Sequence, residues 1–133
     1  LGTDYGLTNV FMNPTGLGSL SIMATSLKRE DNDPNLLYQT PPISIETFPI
    51  KNAFVSFNFG EHQILPSQYT LKQSTPNDTG FLRDWCLKAS NDGKHWIDLI
   101  THTNDITLNK KQQSHTWKLS SPIINDYYSM FKL

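Results

Sequence analysis

Apolar and polar side chains alternate along short segments of this chain, and the pattern predicts strands rather than helices. In NAFVSFNFG, residues 52–60, Val55, Phe57 and Phe59 share one face, as expected of a half-buried strand. No segment keeps apolar residues at i, i+3, i+4 and i+7 over three helical turns between caps. The pattern therefore predicts an all-β fold of the sandwich or barrel type.

Five further segments alternate in the same way, separated by polar stretches rich in proline, glycine and asparagine that read as loops. Their predicted inward residues are Leu20 and Ile22; Tyr69 and Leu71; Trp85, Leu87 and Ala89; Trp117 and Leu119; and Phe131 and Leu133. At 133 residues the chain has the length of one domain, 1–133, and can bury a core without a disulfide or a metal.

In segment 82–100, LRDWCLKASNDGKHWIDLI, two tryptophans flank an Asn-Asp-Gly. Asp-Gly favours a tight hairpin because glycine adopts a positive φ without steric cost. We therefore expect Trp85 and Trp96 on adjacent antiparallel strands, where their rings pack on each other or into the core. Asp92 and His95 are expected to be structural residues of this hairpin rather than catalytic groups.

Net charge, hydropathy and cysteine content limit the kinds of partner and the cellular location that we expect. A formal net charge of −1 and a pI near 6.4 argue against a nucleic-acid binder, and no apolar run approaches the roughly 18 residues that cross a bilayer. Cys86 is the only cysteine, which favours a reducing, cytoplasmic location. The sequon Asn77-Asp78-Thr79 reads as a polar loop, with glycosylation of a secreted protein as the alternative.

Motifs for catalysis and cofactor binding were sought and are absent from the sequence: a P-loop, G-x-S-x-G, G-x-G-x-x-G, H-E-x-x-H and an EF-hand loop. His102 and Asp105 could be written as two members of a triad, but no serine lies in a strained turn, so we expect solvated loop residues. No cofactor and no metal site is expected, apart from a weak calcium candidate at Glu30, Asp31 and Asp33.

Several of these stretches together resemble the discoidin-related, galactose-binding-like domain. The nearest version is the one found in HECT-type ubiquitin ligases that contain a SUN domain and in some BTB-domain proteins. Residues 69–71, 82–85 and 90–96 match that family's Tyr-Thr-Leu, Leu-Arg-Asn-Trp and Ser-Asn-Asp-Gly-x-x-Trp. Further matches are Gly2, Thr3, Asn13, Pro14, Gly60, Pro66, Thr116 and Trp117. The resemblance thus covers most of the chain.

The resemblance implies an antiparallel jelly-roll β-sandwich. Two departures concern Asn58, where the family has aspartate, and Phe11-Met12, where the family usually has a tryptophan. The family's final strand, Ser-Gly-Phe-Glu-Leu-Tyr-Gly, does not follow YSMFKL at 128–133. We expect a domain excised from a larger protein. Either its final strand is trimmed away, or the protein departs from the family there.

The resemblance also implies a function, namely a non-catalytic protein-interaction module that recruits a substrate or scaffold in a large intracellular ubiquitin ligase or ligase adaptor. Ligase activity would then belong to another domain of the full-length protein. The alternative is a discoidin-like domain of a secreted or surface protein that binds a glycan or a phospholipid headgroup.

Two polar loops, 28–35 and 74–81, are the expected partner-binding loops. The candidate residues in and beside them are Lys28, Arg29, Asn77, Asp78, Phe81 and Arg83. Phe81 and Arg83 each have a structural interpretation as well. Arg83 could tie the sheet edge to a carboxylate or to loop carbonyls, and Phe81 could be buried at the start of a strand.

Overall fold

The computed structural model describes residues 20–25, 50–73, 81–119 and 126–133, and every regular element in these ranges is a strand. The strands are β1 Ser21–Ala24, β2 Val55–Asn58, β3 Gln68–Lys72, β4 Trp85–Ser90, β5 Ile97–His102, β6 Ser114–Lys118 and β7 Met130–Lys132. All pairs of neighbouring strands are antiparallel, which confirms the predicted antiparallel all-β class. The described residues include no helix that is long and apolar enough to cross a membrane.

The strands form two sheets, one of five strands in the order β1-β2-β7-β4-β5 and one of two strands, β3-β6. The last strand of the chain, β7, lies between β2 and β4, so that the centre of the large sheet joins distant parts of the sequence. Its register places Phe131 opposite Phe57 on one side and Ala89 on the other. This row of apolar residues crosses the sheet on its inner face.

The core lies on this inner face, and alternation along the strands decides which residues enter it. The buried cluster consists of Leu20, Ile22, Phe59, Leu87, Ala89, Tyr128 and Phe131. The rings of Phe59 and Phe131 meet edge to face with centroids 5.9 Å apart, an arrangement that aromatic pairs prefer. Every predicted inward residue in the described ranges is buried or half-buried, so the period-two prediction is confirmed.

The connection between β4 and β5 is longer than the predicted tight hairpin. Side-chain oxygens of Ser90 and Asp92 bind the backbone of loop 91–96. The Ser90 hydroxyl accepts from the Gly93 amide at 2.9 Å, and one Asp92 carboxylate oxygen accepts from the Lys94 and His95 amides at 2.8 Å. Because these side chains satisfy the amides of the turn, the loop needs no two-residue hairpin. Gly93 has a φ of 71°, which is the role expected of this glycine.

The two tryptophans of this segment lie at opposite ends of the hairpin and do not pack on each other. The prediction is confirmed for Trp85, which is buried in the core, and wrong for Trp96, which precedes β5. Trp85 begins β4 and pairs with His102 at the end of β5. Trp96 closes loop 91–96 at the other end, where the Lys132 ammonium lies 4.1 Å from its ring centroid. The longer loop displaces Trp96 from the strand and gives it a cation–π contact on the outer face.

Asn91 joins three segments at the end of the sandwich that carries loop 91–96. Its amide nitrogen donates to the carbonyl of Tyr127 at 2.9 Å, and its amide oxygen accepts from the Ser129 backbone at 2.9 Å and from the Gln63 side chain at 3.3 Å. We call this the Asn91 end. The opposite end, where β4 begins and β5 finishes, is called the Arg83 end.

Candidate functional site

Two loops at the Arg83 end, 81–84 and 103–108, are bonded to each other. The Arg83 guanidinium donates to the carbonyl oxygens of Asp105 and Leu108, at 3.2 and 2.9 Å. The Asp105 amide donates to the Arg83 carbonyl at 2.9 Å, and the Asn104 amide donates to the Asp84 carboxylate at 2.8 Å. Loop 103–108 is therefore held by one guanidinium nitrogen, Nη1, which donates to two carbonyls, and by a carboxylate, rather than left free in solvent.

Ile106 lies at the tip of this fixed loop, and 68% of its surface is exposed. Leu108 anchors the far side of the loop and is only 1% exposed, while the Thr107 amide donates to the Asp105 carboxylate at 2.8 Å. An apolar side chain on a pre-organised loop loses little conformational entropy when a partner covers it. Such side chains are the usual anchors of protein interfaces.

The structural interpretation of Arg83 agrees with what the structure shows, since its guanidinium binds loop carbonyls. Phe81 is half-buried, precedes β4 without belonging to it, and lies with its ring centroid 5.4 Å from the Arg83 guanidinium carbon. It is thus neither a buried strand residue nor a fully exposed anchor. A partner contact of Phe81 or Arg83 stays a prediction. Lys28, Arg29, Asn77, Asp78 and the calcium candidates Glu30, Asp31 and Asp33 lie outside the described residues.

His102 and Asp105 are not solvated loop residues, and that prediction was wrong. Their side chains are 9% and 16% exposed, with His102 Nδ1 and Asp105 Oδ2 2.8 Å apart. His102 Nε2 lies 2.7 Å from the Tyr69 hydroxyl, which also accepts from Trp85 Nε1 at 3.0 Å. A neutral imidazole protonated on Nδ1 satisfies this chain, because each donor then meets one acceptor. The error arose because His102 belongs to β5 and pairs with Trp85.

Aromatic rings surround the imidazole of His102. Trp85 stacks on it with centroids 4.1 Å apart and planes 15° apart, while Trp117 meets it edge-on at 5.3 Å. Tyr69 and Trp117 come from the small sheet, and Trp85 and His102 from the large one. Because the imidazole is packed between rings, it presents no open face to a substrate. Its bond to Tyr69 joins the two sheets, and its bond to Asp105 holds loop 103–108.

The electrostatics of this buried chain agree with its hydrogen bonds. Burial raises the pKa of the Tyr69 hydroxyl above its ordinary value. The side-chain hydrogen bond from Thr107 is the main cause that lowers the pKa of Asp105. The backbone hydrogen bond from Thr107 and the interaction with His102 lower it further. The carboxylate of Asp105 therefore remains ionised at neutral pH and continues to accept bonds from both sides of the loop.

A shallow depression of about 280 Å³ lies at the Asn91 end. It is lined by Ser90, Asn91, Asp92, His95, Ile97, Asp126 and Tyr128. It combines hydrogen-bonding groups with the apolar side chain of Ile97, which is 46% exposed, and the buried ring of Tyr128. Across the described ranges, no group of three His, Cys, Asp or Glu side chains is arranged to hold a metal ion.

Asp92 and His95 meet on the rim of this depression, with His95 Nδ1 2.6 Å from Asp92 Oδ2 and side-chain exposures of 90% for His95 and 48% for Asp92. The hydrogen bond to Asp92 raises the pKa of His95. The bond from His95, together with the amides of His95 and Lys94, holds the pKa of Asp92 well below its usual range. The pair fastens the loop, as expected of structural residues.

Comparison with curated proteins places the chain beside ubiquitin ligases and a BTB protein. It is 28% identical over 119 residues to the E3 ubiquitin-protein ligase hecd-1 of Caenorhabditis elegans, covering 88% of this chain and 4% of that protein. It is 29% identical over 128 residues to a BTB/POZ domain-containing protein of Arabidopsis thaliana, covering 91% of this chain and 16% of that protein. It is 33% identical over 70 residues to the E3 ubiquitin-protein ligase Ufd4 of Drosophila melanogaster, covering 53% of this chain and 2% of that protein. The chain thus spans a small part of each relative, and no family model matches it.

Among solved structures, the chain resembles CpGH89CBM32-5 from Clostridium perfringens, which was solved in complex with GalNAc-β-1,3-galactose. The TM-score is 0.57 at 15% identity, over 85% of this chain and 81% of that one. This likeness shows the fold, and the predicted galactose-binding-like, discoidin-like β-sandwich is confirmed. The expected resemblance to HECT-type ligases and BTB proteins is confirmed by the sequence relatives.

The Asp92–His95 pair predicts a pH dependence of stability. Because the pKa of His95 is raised in the fold, the stabilisation is fully present below the ordinary histidine pKa of about 6.5 and is lost as pH rises through the raised value. We expect the free energy of unfolding in urea to fall as pH rises from about 6.5 through the raised pKa of His95, and to fall less in His95→Gln. Equal slopes in the parent chain and His95→Gln would contradict the pairing.

The two carbonyl bonds of Arg83 predict that loop 103–108 loosens in Arg83→Lys. Lysine keeps the positive charge but lacks the planar guanidinium, whose rigid shape fixes the directions of the two N–H groups. We expect a loss of about 1–2 kcal/mol in unfolding free energy and faster hydrogen exchange at the amides of Asp105 and Thr107. The amides that pair β3 with β6 should serve as the internal reference. Unchanged exchange at Asp105 would show that the guanidinium does not hold the loop.

Proposed function

We propose that this chain is a non-catalytic protein-interaction module that recruits a substrate or scaffold for a large intracellular ubiquitin ligase or ligase adaptor. Its similarity to two ubiquitin ligases and a BTB protein supports this proposal. In each relative the matching region is a small fraction of the protein, which is what a recruiting domain requires. Any ligase activity then belongs to another part of the full-length protein.

The observation that carries the proposal is the exposed Ile106 on a loop that the fold fixes from both sides. Of the large apolar side chains in the described ranges, Ile106 has the greatest exposure. Two guanidinium bonds and one carboxylate bond hold the backbone around it. The restraint keeps this exposed side chain in one place, so a partner that covers Ile106 would lose little conformational entropy. The partner is expected to offer an apolar pocket for Ile106, with Phe81 joined to the same surface through Arg83.

Ile106→Ser should abolish partner capture while leaving the fold intact, because the side chain makes little contact within the chain. The domain would be used as bait in cytosolic lysate, and captured proteins would be quantified by mass spectrometry. We expect specific proteins, ubiquitin-pathway components among them, to fall about tenfold or more in Ile106→Ser.

Ile50→Ser is the matched control, since Ile50 is 53% exposed and undergoes the same chemical change elsewhere. Its captured set should equal that of the parent chain. Melting curves of both variants would show that the fold survives. Equal capture by all three proteins would remove Ile106 from the partner site and with it the observation on which the proposal rests.

The depression at the Asn91 end supports a second candidate, a glycan-binding domain. Asp126 and His95 offer an acceptor and an imidazole beside the apolar surface of Ile97, a combination that suits a sugar ring with one polar edge and one apolar face. The structural neighbour was solved with a bound disaccharide. This candidate corresponds to a secreted or surface location, in contrast to the first.

Titration with GalNAc-β-1,3-galactose, followed by amide chemical shifts, tests the second candidate. Binding should shift amides of loop 91–96, and Asp126→Asn should weaken it about tenfold. Glu61→Gln, an exposed acid outside the lining, should bind as the parent chain does. If the disaccharide moves no amide at about 10 mM, a concentration at which even millimolar affinity is visible, the depression does not bind this sugar.

A further inference from the structure

The outer face of the small sheet is entirely polar. Alternation along β3 and β6 turns Tyr69, Leu71 and Trp117 toward the large sheet and leaves six exposed side chains on the opposite face. These residues are Gln68, Thr70, Lys72, Ser114, Thr116 and Lys118. We call this surface the β3–β6 face.

Positive charge collects on this surface. Lys72 and Lys118 lie on the β3–β6 face, and Lys110 and Lys111 lie in loop 109–113, which is bonded to the end of β3 through the Gln73 amide and the Gln113 carbonyl at 2.8 Å. No acidic residue occurs in 62–73 or 106–119. The chain as a whole carries a formal net charge of −1, so its acidic residues are concentrated elsewhere.

Three of these ammonium groups, those of Lys72, Lys110 and Lys118, lack carboxylate partners within the described residues. Lys88 on the large sheet pairs with Asp98, but Lys72, Lys110 and Lys118 belong to none of the ion pairs in the described part of the chain. An anionic partner would gain charge-assisted hydrogen bonds from these ammonium groups.

The spacing of the charges fits an extended chain. Lys118 lies opposite Gln68, and Lys72 lies opposite Ser114, so the two ammonium groups are at opposite ends of the face. Four residues of strand separate these ends, which is about 13 Å. Between them the hydroxyls of Thr70 and Thr116 are 2.7 Å apart, and their remaining hydrogen-bonding capacity points to the surface.

We propose that the β3–β6 face binds an extended acidic segment of a protein partner. Carboxylates four residues apart in such a segment would meet Lys118 and Lys72. Lys110, in the loop that precedes β6, could bind a third carboxylate beyond Lys72. This inference deepens the proposed function, since it rests on a protein-recruiting role, but it concerns a different surface from Ile106. Two surfaces with different chemistry would let the module select a partner that has both an apolar pocket and an acidic segment.

A protein segment suits this face better than the other polyanions. Nucleic-acid strands are held by aromatic platforms as well as charge, and the aromatic residues of β3 and β6 point inward. A membrane surface is bound with apolar side chains inserted among the lipids. None of the exposed large apolar side chains in the described ranges lies on this face. The face therefore has charge and hydroxyl groups only, the chemistry that an acidic peptide requires.

The test uses a fluorescein-labelled peptide, Gly-Glu-Ser-Thr-Ser-Glu-Gly, in which the two glutamates are four residues apart, and its Gln-for-Glu counterpart. Fluorescence anisotropy would follow binding to the chain at low and at physiological salt. We expect the Glu peptide to bind more tightly than the Gln peptide and to weaken as salt rises. The double variant K72Q/K118Q should bind the Glu peptide about fivefold more weakly.

The matched control is K51Q/K94Q, which removes two exposed lysines elsewhere in the described chain and changes the net charge equally. It should keep the affinity of the parent chain. Equal losses in the two double variants would overturn the proposal, because the effect would then follow net charge and not the face. Tighter binding to a single-stranded DNA oligonucleotide or to phosphatidylserine vesicles than to the Glu peptide would overturn the choice of partner.

Ile106→Ser separates this inference from the proposed function. It should bind the Glu peptide as the parent chain does, although it loses lysate partners. If Ile106→Ser loses those partners while K72Q/K118Q keeps full peptide affinity, the β3–β6 inference fails and the proposed function stands. If K72Q/K118Q loses the peptide while Ile106→Ser keeps every lysate partner, the proposed Ile106 site fails and the acidic-peptide surface stands.

Discussion

The buried chain of hydrogen bonds from Trp85 through Tyr69 and His102 to Asp105 is the constraint on which this end of the molecule depends. Polar groups taken out of water are costly unless each finds a partner, and here each donor meets an acceptor. These hydrogen bonds start in the core at Trp85, cross from the large sheet to the small one and back, and end on a carboxylate that also accepts from Thr107. The packing of the sheets and the shape of loop 103–108 are therefore set by the same atoms.

Arg83 adds the second restraint from outside. Its guanidinium binds two carbonyls of that loop, which a buried core residue could not do and a lysine could do only in part. At the opposite end, hydrogen bonds of the neutral side-chain amide of Asn91 join three segments. Both ends of the sandwich are thus closed by side-chain-to-backbone bonds, because short strands leave many loop amides and carbonyls for side chains to satisfy.

Strand alternation made most of the core predictable. Leu87, Ala89 and Phe131 could be assigned inward because side chains alternate with period two whatever the partner strand is. The segment 82–96 also carried the resemblance that pointed to the fold. Predictions failed where the structure depends on the register between strands or on hydrogen bonds made by side chains. Trp96 lies in the loop and not in β5 because Ser90 and Asp92 bind the loop amides. The spacing of residues in the sequence does not reveal these hydrogen bonds.

The site was less predictable than the fold. His102 appeared to be a loop residue because THTND is polar, and only the register that pairs it with Trp85 shows that it is buried. Ile106 left a faint signal, a lone apolar residue in a polar stretch. That signal acquires meaning only once Arg83 and Asp84 are seen to fix the loop.

The separation of apolar and cationic surfaces has a consequence for how a partner would be selected. Charges such as those of Lys72 and Lys118 act over about 8–10 Å in physiological salt, so they accelerate encounter and favour acidic surfaces. Apolar contact at Ile106 acts only at van der Waals distance and chiefly slows dissociation. A partner with one feature alone would gain either rapid encounter or long residence. A partner with both would gain the two together, so the arrangement gives selectivity without requiring a deep pocket.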